Sequence, residues 1–138
     1  MGRFYGQHEH ALDVKGRVFL PAKFRPSFAE GGFLTRYNGG CLALWTPEKF
    51  EILTGDLEET QDQSSALRNR ARLFSSGTEE VEVDRQGRLA IAPHLRSFAQ
   101  LTNEVLVIGV LNRVELWNPA VWAETSGPPT HKLVIDED

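Results

Sequence analysis

With 138 residues, 41% of them hydrophobic, and a formal net charge of -4, the chain fits one compact domain or two small halves sharing a core. No apolar run of about 18 residues is present to cross a bilayer, and the opening MGRFYGQHEH carries neither a secretory signal nor a myristoylation pattern, so a soluble cytoplasmic protein is expected. The single cysteine, Cys41, excludes an intrachain disulfide or a multi-cysteine metal site and reads as a small buried side chain.

In chain order, His8 to Leu12 alternates like a strand and runs into the turn Asp13-Val14-Lys15-Gly16-Arg17. Asp13 suits a turn start because its carboxylate accepts backbone N–H groups, and Gly16 takes the positive φ that reverses the chain. A short strand, Arg17 to Leu20, follows. Pro21 then opens a short helix carrying Arg25, and Pro26 is expected to cut that helix short. Phe33 to Tyr37 and Leu42 to Trp45 form a hairpin through Asn38-Gly39-Gly40. Thr46 caps the next helix, with Pro47 at its first position. Residues 51–77 read as helix, polar loop, helix, with Leu67, Ala71 and Phe74 on one face and Arg68, Arg70 and Arg72 around them.

The order then repeats. Glu79 to Val83 alternates into Asp84-Arg85-Gln86-Gly87-Arg88, a strand runs to Ile91, and Pro93 opens a helix carrying Arg96. Strands at Val105 to Val110 and Val114 to Trp117 lead to a second N-cap and Pro, Asn118-Pro119. DVKGRVFLPAKFR over DRQGRLAIAPHLR gives four identities in 13 positions, where about one is expected from average composition. LALWTPEKF and VELWNPAVW share Leu-Trp-x-Pro and hold all 3 tryptophans. The chain is therefore a duplication, with repeats at 1–70 and 71–124 and a flexible tail at 125–138.

A net negative charge argues against a nucleic-acid partner until its distribution is followed. Residues 1–25 carry five positive and two negative side chains, and residues 67–96 carry six and four; the stretches after each are acidic. Positive charge thus gathers around the two Asp-x-x-Gly-Arg turns, enough to build a basic face on an acidic protein.

Catalytic readings find little. His8 and His10 share a strand face, but their counterparts in the second repeat are Glu79 and Val81, so strand-surface polar residues read better than a metal site. No phosphate-binding loop, nucleophile elbow, zinc-protease helix or dinucleotide motif occurs, and Cys41 has no evident His partner. Asp13 and Asp84 as paired acids give way to their use as turn residues. Neither an enzyme, a metal nor a cofactor is expected. Arg17 and Arg88 fit two uses: an ion pair with Asp13 or Asp84 that fixes the turn, or a guanidinium fork for phosphate or the guanine edge. The spacing leaves both open, and one does not exclude the other.

The doubled Asp-x-x-Gly-Arg and the doubled Leu-Trp-x-Pro in one chain resemble the MraZ family of bacterial transcriptional regulators, within the AbrB-like swapped-hairpin superfamily. The resemblance covers residues 3–124. It implies an α+β, pseudo-dimeric swapped-hairpin β-barrel built from two repeats, with helices packed outside. It also implies ring-shaped homo-oligomers associated with the nucleoid, and binding to direct repeats in double-stranded DNA upstream of the chain's own division and cell wall gene cluster, as a repressor. Carried over by residue, the DNA contacts are Arg17 and Arg88 with Lys15 beside them. Arg25 and Arg96 match the closing arginine, whose role is backbone contact or structure. Gln86 stands where the first repeat has Lys15, and Arg85 offers a compensating cation. Subunits related by rotation about a ring axis would meet neighbouring sites in similar orientation, which suits direct repeats. The alternative is an interaction or antitoxin-like barrel whose basic loops grip a protein.

Overall fold

The computed structural model describes residues 2–127; most of the expected tail, 128–138, lies outside the described residues. Its strands are β1 (Gln7–Ala11), β2 (Arg17–Phe19), β3 (Gly32–Tyr37), β4 (Cys41–Trp45), β5 (Glu79–Val81), β6 (Arg88–Ala90), β7 (Glu104–Val110) and β8 (Arg113–Trp117). Its α-helices are α1 (Pro47–Thr60), α2 (Ser65–Ser76), α3 (Pro93–Ala99) and α4 (Pro119–Ser126), so Thr125 and Ser126 close a helix rather than begin a tail.

Six strands form one sheet in the order β1-β7-β8-β4-β3-β5, antiparallel throughout. Exchanging the repeats leaves that order unchanged: β1 matches β5, β7 matches β3 and β8 matches β4. Each repeat therefore lends its first strand to the other's hairpin, β1 to β7 and β5 to β3. β2 and β6, also one from each repeat, pair in a separate two-stranded ribbon. The fold is α+β, as the sequence implies.

Alternation decides what is buried. Val18 and Leu89 point inward from the ribbon and join Leu20, Ile91 and the sheet residues Leu34, Leu44, Val107 and Leu116 in one cluster. Phe24, Phe28 and Leu95 from the short helices close it. Every residue of β4 is buried because helices cover the sheet's other face. There Phe50 of α1 stacks on Phe33 at 4.0 Å and meets Phe74 of α2 at 6.0 Å. Trp122 of α4 packs edge-on against Trp117 at 5.2 Å.

Both helix caps expected from sequence form, with the Thr46 hydroxyl accepting from Lys49 N and the Asn118 carbonyl oxygen from Ala120 N and Val121 N. Pro26 does not cut its helix short. Residues Ala22–Phe28 form a 3-10 helix through it, in which Pro26, lacking a donor, serves as acceptor: its carbonyl takes the N–H of Ala29 at 3.3 Å. The polar loop expected between α1 and α2 contracts to one 3-10 turn, Gln61–Gln63, and Ser64, whose side chain caps α2.

One buried carboxylate carries no signal in the sequence. Glu115 is 5% exposed and accepts from Arg113 Nε at 2.8 Å and Trp117 Nε1 at 2.9 Å. The Arg113 guanidinium in turn lies 4.6 Å from the centre of the Tyr37 ring. Beside them Cys41 is fully buried, and burial, with the Glu115 charge, pushes its thiol pKa up to about 12.

Leu89 has no exposure and couples the ribbon to the core. Leu89→Ala is expected to lower the unfolding free energy in urea by about 2–5 kcal/mol, and a loss below about 1 kcal/mol would mean that the ribbon does not close this core.

Candidate nucleic-acid interface

The two basic turns share one geometry. In the first, Asp13 Oδ1 accepts the backbone N–H of Lys15 and of Arg17, each at 2.9 Å, and Oδ2 accepts Arg17 Nε at 2.8 Å. In the second, Asp84 Oδ1 accepts from Gln86 N at 2.9 Å and Arg88 N at 2.8 Å, and Oδ2 accepts Arg88 Nε at 2.9 Å. Gly16 and Gly87 take φ of +78° and +88°, the left-handed backbone that reverses each chain. The Asp–Arg ion pair, one of the two uses the spacing leaves open, is therefore present in both turns. It holds only Nε, and the Nη nitrogens of Arg17 and Arg88 donate no hydrogen bond among the described residues. Neither arginine extends freely into solvent: their side chains are 28% and 24% exposed, held back by the carboxylates.

The glycines answer a second demand, from the opposite repeat. A Cβ on Gly87 would run into the Arg25 guanidinium, and one on Gly16 into that of Arg96. Arg25 Nε donates to Leu20 O at 2.7 Å while Leu20 N donates to Gly87 O at 2.8 Å. Arg96 Nη1 likewise donates to Ile91 O, and Ile91 N to Gly16 O at 2.9 Å. Each closing arginine thus props the other repeat's turn, which favours structure over backbone contact among the roles open to Arg25 and Arg96 in the sequence.

In the ribbon Arg17 lies opposite Ala90 and Phe19 opposite Arg88. Val18 and Leu89 face inward, so Arg17, Phe19, Arg88 and Ala90 share the outer face, with exposed Lys15 and Arg85 at the turns. The two arginines are displaced by two residues along the ribbon, about 7 Å or two base-pair steps. Pairing on the ribbon brings together residues 71 positions apart in sequence.

His8 and His10 are half-buried rather than surface residues. Their strand face turns inward, where the His8 ring meets Phe24 edge-on at 5.8 Å and buried Nε2 of His8 has no partner. Burial, then the neighbouring His8 and Arg25, lower the His10 pKa. No cluster of three or more metal-ligating side chains occurs among the described residues, and no helix there is long and apolar enough to cross a membrane.

The Asp13 and Asp84 carboxyls are held below the ordinary aspartate pKa, first by the backbone N–H of Arg17 or Arg88 and then by the same arginine's side chain. A lowered folded-state pKa adds stability above the ordinary aspartate value and loses it as pH falls through the folded value. The turns should therefore be insensitive to pH near neutrality and loosen only in acid. A carboxyl-carbon NMR titration is expected to place both midpoints below that of a free aspartate; unshifted midpoints would remove the clamp.

Sequence comparison points the same way as the paired turns. The family model of the MraZ protein, described as antitoxin-like, matches residues 3–72 and 74–127. A transcriptional regulator MraZ from Acetivibrio thermocellus is 40% identical over 124 residues, spanning 90% of this chain and 87% of the relative. That from a Nocardioides species is 42% identical over 135 residues, spanning 97% and 94%, and that from Cutibacterium acnes is 37% identical over 123 residues, spanning 89% and 87%. Since the match takes in both basic turns, both hairpins and the helices after them, the chain belongs to the MraZ family.

Proposed function

We propose that this protein is a sequence-specific DNA-binding transcriptional regulator that reads duplex DNA with the outer face of its β2–β6 ribbon. The observation that carries the reading is the pair of Asp-clamped arginines on that face, Nη nitrogens unengaged, with a further cation beside each. A guanidinium held at Nε keeps its outer edge for guanine O6 and N7 or for phosphate, already oriented. Lys15 and Arg85, exposed at the two turns, serve as phosphate contacts. The relatives' name, transcriptional regulator, supports this use.

The lending of β1 and β5 between repeats and the paired β2 and β6 support a swapped-hairpin, barrel-like pseudo-dimer. The repeats are 1–70 and 71–124, joined through α2, which contains residue 70. Exposed Leu53, Leu73 and Phe98 line a cleft of about 620 Å³ beside α1, α2 and α3, which supports self-association into a ring. In a ring, many weak basic faces act together on direct repeats upstream of the chain's own gene cluster, as a repressor in the cytoplasm and on the nucleoid. No enzymatic step, cofactor or membrane contact is part of this reading.

Arg17→Ala with Arg88→Ala is expected to weaken binding to DNA from upstream of its own gene by about 30-fold or more, at about 1–3 kcal/mol per base contact. Asp13 and Asp84 keep their backbone bonds in that variant, so assembly should persist by size-exclusion chromatography. Unchanged binding with assembly intact would sink the assignment and favour a protein partner for the basic turns. Lys15→Ala and Arg85→Ala should instead weaken all DNA alike, each flattening the plot of log affinity against log salt by about 1. A slope equal to the parent's would show that neither side chain touches phosphate.

A further inference from the structure

The ribbon's backbone is two-fold symmetric, but its outer face is not. Phe19 stands directly opposite Arg88, 42% exposed, and its counterpart in the second repeat is Ala90, opposite Arg17. This aromatic ring on a cationic face is packed into neither apolar cluster and keeps about two-fifths of its surface in water in the free protein. The flanks differ as well. Lys15 of the first turn shares a surface cleft with Glu79, Glu80 and Glu82 of β5 and the residue after it. On β1, which matches β5, the corresponding positions are His8, Glu9 and Ala11, one carboxylate in place of three, while each turn alike has the opposite repeat's arginine against its glycine. One end of the ribbon thus combines Arg85, Arg88 and an exposed ring with a weakly charged flank, and the other combines Lys15, Arg17 and a methyl group with an acidic one.

Resting on the DNA-binding reading, we infer that the ribbon docks with a fixed polarity. Its Phe19–Arg88 end makes the primary base contacts in the major groove, with Phe19 packing on the 5-methyl group of a thymine. A major groove about 12 Å wide admits a two-stranded ribbon, and the thymine methyl is the one apolar group that base edges present there. Arg88 and Phe19 are cross-strand neighbours, so the base that Arg88 contacts and the thymine lie on the same or adjacent base pairs. The arginine fixes the guanidinium-binding base while the ring excludes water beside it and rejects a base lacking the methyl. Because Ala90 is too short to repeat the contact at the other end, the protein distinguishes the two orientations of its site. Polarity of this kind is what a direct repeat requires and a palindrome does not.

The test replaces thymines one at a time by uracil, which removes only the 5-methyl group, in DNA from upstream of the protein's own gene. Binding is measured by fluorescence anisotropy at fixed salt for the full chain and for Phe19→Ala. One substitution in each repeat is expected to weaken the parent protein by about fourfold, the worth of one buried methyl group. Phe19→Ala is expected to lose affinity by at least as much, to stay folded with a cooperative melting transition because the side chain lies outside both apolar clusters, and to be indifferent to that uracil. The inference is overturned if no single uracil weakens the parent, or if the same uracil weakens both proteins equally. Specific binding by the parent with either of these results would defeat only the Phe19 contact; no preference of the parent for this DNA over random DNA would defeat the DNA-binding reading beneath it.

Discussion

Arg25 against Gly87 and Arg96 against Gly16 are the contacts on which the rest of the candidate interface depends. Each turn is shaped from two sides. Its own aspartate gathers two backbone N–H groups and one guanidinium, and the opposite repeat's arginine fills the space that a side chain on the glycine would take. Backbone bonds from Leu20 to Gly87 and from Ile91 to Gly16 tie the same two places. Neither turn is complete within its own repeat. The interface is therefore a product of the association of two halves, and it inherits the rigidity of the core beneath it through Val18 and Leu89.

Two kinds of arginine follow from this arrangement, and they differ in what they lie against. Arg25 and Arg96 each donate one nitrogen to a carbonyl just past the end of a ribbon strand and lay the guanidinium against the glycine of the opposite repeat's turn, so they support the turns. Arg17 and Arg88 are held by a single nitrogen and keep their outer edges. A carboxylate that binds Nε lowers the entropy a guanidinium would lose on meeting a base, so the ion pair is compatible with the proposed DNA contact and would support it. An acidic protein can hold such a face because local arrangement, rather than net charge, sets the potential a polyanion meets.

Much of this fold was legible in the sequence because its signals are local. The Asp, Gly and Arg of each turn, the alternation of Val18 with its neighbours, and the Thr46-Pro47 and Asn118-Pro119 helix starts all act within a few residues of themselves. The duplication was equally plain, since it needs only one copy compared with the other. What misled was local too: Pro26 reads as a stop, but a 3-10 helix carries it. His8 and His10 read as surface residues because the strand's inward face is set by Phe24, fifteen or so positions away in sequence and folded onto β1.

The sequence by itself determined that the chain is doubled, that each copy carries a basic turn, and which arginine in each turn has a carboxylate four residues before it. Only the tertiary structure decided that β1 pairs with β7 and β5 with β3, that Arg25 and Arg96 serve each other's turns, and that Glu115 is buried between Arg113 and Trp117. It also placed Phe19 beside Arg88, which no spacing within DVKGRVFLP could show. The physical reason is range. Turn and cap chemistry is fixed by neighbours along the chain, whereas the partner of a strand edge or a guanidinium is chosen by which surfaces the whole core brings together.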